Sequence, residues 1–288
     1  MKNEALDILI LGLLVVLFAS IYRKRATTRL RCWVAGWILV LLHFAALLIP
    51  AVSGWGQELV DSLSVSALFI SGLCFLFSAP VILETFAGSA LIALGVGVPA
   101  LIYINYVVFG GAHSWPLYAT AMVTTASGII LAWRFCRGRS RVWAVITLAF
   151  SLGGIWTTVS LLHHAPNQGI LALLFEVFLT FAAIYWFDFR RTSTGVLTAI
   201  LGLVAWAAVF PVGLLCDYLV PAGQIPPGLW NVPKYFVAFG MILTLLEDEF
   251  MAAGRAMEHY RLLFAAHPHP MWVQESETLR ILGSMMPR

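Results

Sequence analysis

Charge is what this 288-residue chain has least of: Asp, Glu, Lys and Arg supply 11% of it, while hydrophobic residues supply 61%. Soluble domains carry about 25% charged and roughly 45–50% apolar residues, so a water-soluble globular protein is excluded. Cysteine is scarce as well, with four widely spread residues, which gives neither a disulfide framework nor a zinc spacing. There is no phosphate loop, no metal-ligand pair and no catalytic triad, so no catalytic domain is expected in these residues, and no nucleic-acid partner. What is present is a set of long apolar runs and a mean hydropathy of +0.90. These describe an all-α polytopic membrane protein whose first partner is the lipid bilayer.

A helix needs about 20 mostly apolar residues to cross the hydrocarbon core. Nine such runs can be read, at 6–22, 32–50, 62–83, 89–109, 115–135, 142–162, 169–187, 195–219 and 229–246. With nine spans, fifteen of the seventeen Lys and Arg residues fall on one side: Arg23 to Arg31, Arg134 to Arg141, Arg190 and Arg191, and the four arginines from Arg255 onward. Only Lys2 and Lys234 lie elsewhere. The positive-inside bias makes the arginine side cytoplasmic, so the expected topology is N-terminus outside and C-terminus inside, in a cytoplasmic (inner) membrane. The first run is read as an anchor and not as a cleavable signal, because its basic cluster follows the apolar stretch and acids precede it. Trp33, Trp55, Trp115, Trp143, Trp186 and Trp230 stand near span ends, where an indole suits the headgroup level.

Few ionisable residues lie deep in the spans. Glu176 sits in the middle of the seventh, His43 in the second, His163 and His164 at the end of the sixth, Asp217 near the end of the eighth and Lys234 at the start of the ninth. An intramembrane acid costs several kcal/mol unless it is neutral or paired, which makes it a functional-site candidate. One reading is a periplasm-facing pocket in the outer half of the bilayer, in which Glu176 and one or more histidines bind a small polar ligand, a proton or a metal. The other is a neutral Glu176 hydrogen-bonded to a neighbouring helix, with wet interfacial histidines. No cofactor is identified. A haem or metal would have to use His43 with His163 or His164. The glycines at Gly95, Gly97, Gly153 and Gly154 are read as sites of close helix packing, and Cys32 and Cys136 as thiols on the cytoplasmic side.

After the ninth span, apolar residues recur at Phe239, Leu243, Leu246, Phe250, Ala253, Met257, Tyr260 and Phe264, alternating steps of four and three. That is an unbroken heptad seam, running out of the bilayer past Glu247–Asp248–Glu249 with Arg255, Glu258 and Arg261 off the seam. It predicts a parallel homodimeric connecting helix through Leu246, Phe250, Ala253, Met257, Tyr260 and Phe264. Pro268 and Pro270 then end the helix. Short strands are expected at 271–273 and 279–282, closing the chain in a β-hairpin.

The order "YRLLF", "HPHPMWV", acidic turn, "ETLRIL" resembles the opening of a bacterial PAS domain, over residues 260–282. PAS domains are small α/β sensor modules, commonly placed between a membrane input region and a histidine kinase or GGDEF-type diguanylate cyclase. The resemblance implies a division into a membrane sensor (1–246), a connecting helix (247–266) and the start of a PAS domain (267–288), broken off before that fold can form. The expected function is thus the input region of a two-component or cyclase signalling protein, responding to an unidentified small-molecule or physical stimulus. A small-molecule transporter or channel is the alternative.

Overall fold

The computed structural model describes residues 2–24, 26–49, 54–79, 86–111, 113–135, 140–189, 193–219, 227–266, 271–274 and 281–285. Each of the nine apolar runs overlaps one long helix: α1 (Lys2–Lys24), α2 (Thr28–Leu47), α3 (Gly54–Phe77), α4 (86–108), α5 (Trp115–Phe135), α6 (Ser140–Leu162), α7 (Pro166–Phe189), α8 (Thr194–Leu219) and α9 (Val232–Ala266). Seven of them, α2 to α8, are long and apolar enough to cross a bilayer among the described residues. These are the helices of a multi-pass membrane protein. In α9 the apolar stretch is bracketed by Lys234 and Glu247–Glu249.

The helices differ from the apolar runs where polar residues extend a helix beyond the hydrophobic window. The third run was expected to begin at Ser62 and end at Leu83. Helix α3 instead starts at Gly54, takes in Glu58 and Asp61, and ends at Phe77. Charge lowers hydropathy without breaking a helix. In α4 the 86–92 and 98–108 segments are joined by a π turn, Ala93–Gly97, in which the Val98 amide reaches back to the Ala93 carbonyl. Pro99 follows directly; it lacks an amide hydrogen and its ring crowds the carbonyl one turn back, so widening the preceding turn relieves both defects.

Side-chain contacts sort the helix ends into two groups. The Arg29 guanidinium lies 4.9 Å over the Phe189 ring, and Trp33 Nε1 donates to Ser78 Oγ at 2.8 Å. The start of α2 therefore lies beside the ends of α3 and α7. At the other end, Ser62 Oγ donates to Asn105 Oδ1 at 2.5 Å and Tyr103 donates to the Pro166 carbonyl at 3.0 Å. Consecutive helices thus run up and down, and the arginine-bearing ends of α1, α2, α5 and α6 share one end of the bundle, called here the basic end.

Helix α7 is central: 72% of its apolar window is inside the bundle, against 33% for α5 and for α8. Around it stands an aromatic column. Trp37 stacks on Phe18 and Trp206, Trp206 on Phe178 at 4.1 Å, and Phe75 on Phe181. Trp33 faces the interior, 1% exposed; its ring faces Tyr185 and its indole N–H finds Ser78. Trp115 is 69% exposed, as an interfacial ring should be.

Helices α8 and α9 meet at backbone distance. A Cβ added to Gly240 would stand 2.2 Å from the Ala199 amide nitrogen, and one on Gly202 would stand 2.7 Å from that of Val237. Small residues of this kind let two membrane helices gain dispersion contacts without a hydrophobic driving force. Beyond Leu246, α9 continues without interruption to Ala266, so the connecting segment 247–266 is part of the same helix. Strands β1 (Met271–Gln274) and β2 (Ile281–Met285) pair antiparallel, Met271 opposite Met285. The second lies nearer the C-terminus than 279–282, and no larger sheet is visible among the described residues.

Candidate functional site

Six intramembrane residues were singled out from the sequence, and the five whose side chains are described go to three different places. Lys234 is 7% exposed at the start of α9, far from wet. Its ammonium donates to Asn231 Oδ1 at 2.7 Å and lies 4.4 Å from the Phe44 ring centroid and 5.8 Å from that of Trp206. Asn231 then donates from Nδ2 to Asp7 Oδ2 at 2.6 Å, and the Tyr235 hydroxyl donates to Asp7 Oδ1. One amide side chain therefore reads a cation with its oxygen and a carboxylate with its nitrogen, linking α1 to α9 across more than 220 residues of sequence. His43 stands beside this cluster, its ring 5.0 Å from Phe44. Its Nδ1 is 2.8 Å from Ser64 Oγ and 3.0 Å from the Ser64 carbonyl, so that nitrogen is committed to α3.

His163 and His164 are exposed at the α6–α7 turn, where His164 takes φ 56° to close the helix. Of the histidines that a haem or metal would have to use, His43 turns Nδ1 to Ser64, while His163 and His164 are exposed. Among the described residues no group of three His, Cys, Asp or Glu is placed to hold a metal ion. The Asp217 and Cys136 side chains and the Phe264 end of the seam lie outside the described residues. Cys32, Cys74 and Cys216 are free thiols.

Glu176 is separate from all of these. It is 1% exposed, near the middle of α7, and neither carboxyl oxygen has a hydrogen-bond partner. The second reading of it, a carboxyl hydrogen-bonded to a neighbouring helix, therefore does not describe this structure. Opposite it on α6 stands Gly153: a Cβ there would stand 2.0 Å from Glu176 Oε1, so this glycine makes space for the carboxyl. One turn further along α7, the Thr180 hydroxyl is buried and unpartnered too, as is Thr157 on α6. From Thr180 a cavity of about 50 Å³ extends toward the basic end, between α3, α4, α5, α6 and α7, with Thr180, Ile184 and Asp188 on its wall. The π turn contributes Val96, and α5 contributes Gly128, packed against the Phe150 ring.

Compared with known proteins, the chain matches no family model, no curated protein and no solved structure.

Sequence reading found Lys234 and Glu176 but missed Asp7, Asn231, Tyr235 and Phe44, the groups that make the Lys234 site. Asp7 was read only as an orientation signal, and the signal that could have promoted it was its place inside the first apolar run, as the second residue. Thr157 and Thr180 carry no sequence signal beyond their helical spacing, Thr180 standing four residues after Glu176.

Proposed function

We propose that the chain is the membrane-embedded input region of a bacterial signal-transduction protein, with its N-terminus outside and C-terminus in the cytoplasm. It would relay a stimulus through α9 to a PAS-linked histidine kinase or diguanylate cyclase output that these residues do not include. One observation carries the reading. Helix α9 is a single helix from the buried Lys234 cluster, along the glycine contacts with α8, out to a stretch where Phe250, Met257 and Tyr260 are 76%, 73% and 61% exposed. Those exposed apolar residues share the heptad seam, which buries its side chains only against a second helix. A homodimer through this seam supplies that helix. Rearranged packing at the Lys234 end can then reach the seam without a break, since packed helices switch between discrete arrangements.

Cross-linking in a cysteine-free background tests the relay. Met257→Cys should join two copies in native membranes, while Glu258→Cys, off the seam, should not. Ala253→Asp should abolish the Met257→Cys cross-link. Equal cross-linking at both positions, or none at either, would sink the proposal.

A transporter or channel is the second reading, favoured by the unpaired Glu176 carboxyl halfway through a spanning helix. Solute flux in proteoliposomes that disappears in Glu176→Gln would support it over the relay.

A further inference from the structure

We infer that Glu176 is a reversible proton-binding site, loaded from the basic end of the bundle along one face of α7. Glu176, Thr180, Ile184 and Asp188 are spaced four apart, so they form one stripe, and the last three line the cavity. The cavity therefore leads from the Asp188 level to Thr180, a lining residue 4% exposed whose buried hydroxyl has no partner. The next residue up the stripe is the carboxyl whose two oxygens are also unspent.

Size and chemistry select the ligand. One water needs about 10–15 Å³, so the 50 Å³ void has room for water to enter, while its wall, apolar apart from Thr180 and Asp188, leaves it dry at rest. A drug-sized organic molecule needs at least about 300 Å³. Thr180 and Asp188 are eight residues apart, about 12 Å along a helix axis, which about four waters in file span at hydrogen-bond spacing of about 2.8 Å. From the inner end of the file a hydronium passes its proton by way of the Thr180 hydroxyl to a Glu176 carboxylate oxygen one turn on: the hydroxyl gains one O–H bond and gives up another, the carboxylate gains one, and water remains. Past Glu176 the seam is closed. A Cβ on Gly169 would stand 2.1 Å from the Tyr103 hydroxyl and 3.1 Å from Thr157, and Tyr103 is spent on the Pro166 carbonyl.

The ionisable residues on the helices packed against α7 are Glu58, Asp61 and Cys74 of α3, Tyr103 and Tyr106 of α4, Arg141 of α6, and Cys216, Asp217 and Tyr218 of α8, with Tyr185 and Asp188 on α7 itself. None hydrogen-bonds the Glu176 carboxyl. A proton is thus the ligand that changes the charge of this part of the core, at the Gly153 contact between α6 and α7.

The inference names a stimulus for the relay proposed above, but its test does not need the relay. The full chain in lipid nanodiscs is taken between about pH 4 and pH 10 while the infrared carbonyl band of a protonated carboxyl is followed. The expected result is a band that comes and goes with pH, is absent in Glu176→Gln and shifts in Glu176→Asp. After a pH jump, Thr180→Val and the cavity-filling Ala132→Phe should slow its appearance at least about tenfold. Thr180→Ser should restore the rate and Thr157→Val should leave it unchanged. A Glu176 band that does not respond to pH would overturn the inference. So would a rate untouched by Thr180→Val, or one slowed equally by Thr157→Val. Because no output or dimer is read, these failures leave the Met257→Cys cross-linking result standing on its own.

Discussion

Asp7 and Glu176 are two carboxyls inside one bundle, 8% and 1% exposed, and their surroundings are opposite. Each Asp7 oxygen accepts a hydrogen bond, and the chain of partners ends on a cation held against two aromatic faces. Neither Glu176 oxygen accepts one, although the space for its carboxyl is made by a glycine on the facing helix. Burial costs a polar group free energy in both places, but only the first place returns it through pairing. The Asp7 cluster is built to hold α1 and α9 together. The Glu176 seam keeps an unmet demand for a proton or a water at the centre of the fold.

The sharpest way to break this comparison is to remove both carboxyls and ask whether stability moves in opposite directions. Asp7→Leu strips Asn231 and Tyr235 of their acceptor and leaves the Lys234 cation without the carboxylate at the end of its chain. Breaking a buried charged network costs about 3–5 kcal/mol, and a loss near the lower end of that range is expected in reversible unfolding from detergent micelles. Glu176→Leu removes two unsatisfied oxygens at similar side-chain volume. An unsatisfied buried polar group costs about 1–3 kcal/mol, so this variant should gain up to about that much. If both variants lost stability equally, the division between a paired clamp and an unpaired seam would be wrong.

Between those two effects in size lies the α8–α9 contact. Gly240→Val must push apart helices that now touch at the Ala199 backbone, and overpacking of this kind costs about 1–3 kcal/mol. Its diagnostic value is positional. Since α9 is held by the Lys234 cluster at one end and by glycine contacts along its length, Gly240→Val should loosen the Met257→Cys cross-link, whereas Glu176→Leu should leave that cross-link formed.

The sequence reached the nine apolar runs because hydropathy is local, and each run meets a helix. It placed Glu176 as the deep acid for the same reason. The α3 boundary went astray by about two turns because Glu58 and Asp61 lower hydropathy while remaining good helix residues at a membrane edge. Trp33 was read only by its position at a span end; helix rotation turns it inward onto Ser78 and Tyr185, and rotation is not written in a run that is apolar all round. Asp7 was missed for a different reason. Its partners Asn231 and Tyr235 are more than 220 residues away, and no local pattern announces a contact of that range. Two buried threonines show the same limit: Thr157 and Thr244 look alike in sequence, and only packing tells which one is paired.

That pair of threonines gives the finest test of the comparison. Thr244 accepts from the Tyr185 hydroxyl at 3.1 Å and donates to the Gly240 carbonyl at 2.8 Å; Thr157 has no partner for its hydroxyl. Both are about fully buried, 0% and 1% exposed, so valine removes the same atom from the same degree of burial. Thr244→Val should cost about 1 kcal/mol, the net worth of a made hydrogen bond, with the Tyr185 hydroxyl left short of its acceptor. Thr157→Val should cost nothing, or gain a few tenths, because the hydroxyl it deletes was never satisfied. The difference between the two variants in one unfolding assay isolates pairing from burial, since chemistry, size and exposure cancel. A difference near zero would mean that the Thr157 hydroxyl is satisfied in the membrane by water or by Glu176. In that case the seam would be a wet network at rest, and the slow step in charging Glu176 would lie in moving the proton along it instead of in admitting the water that carries it.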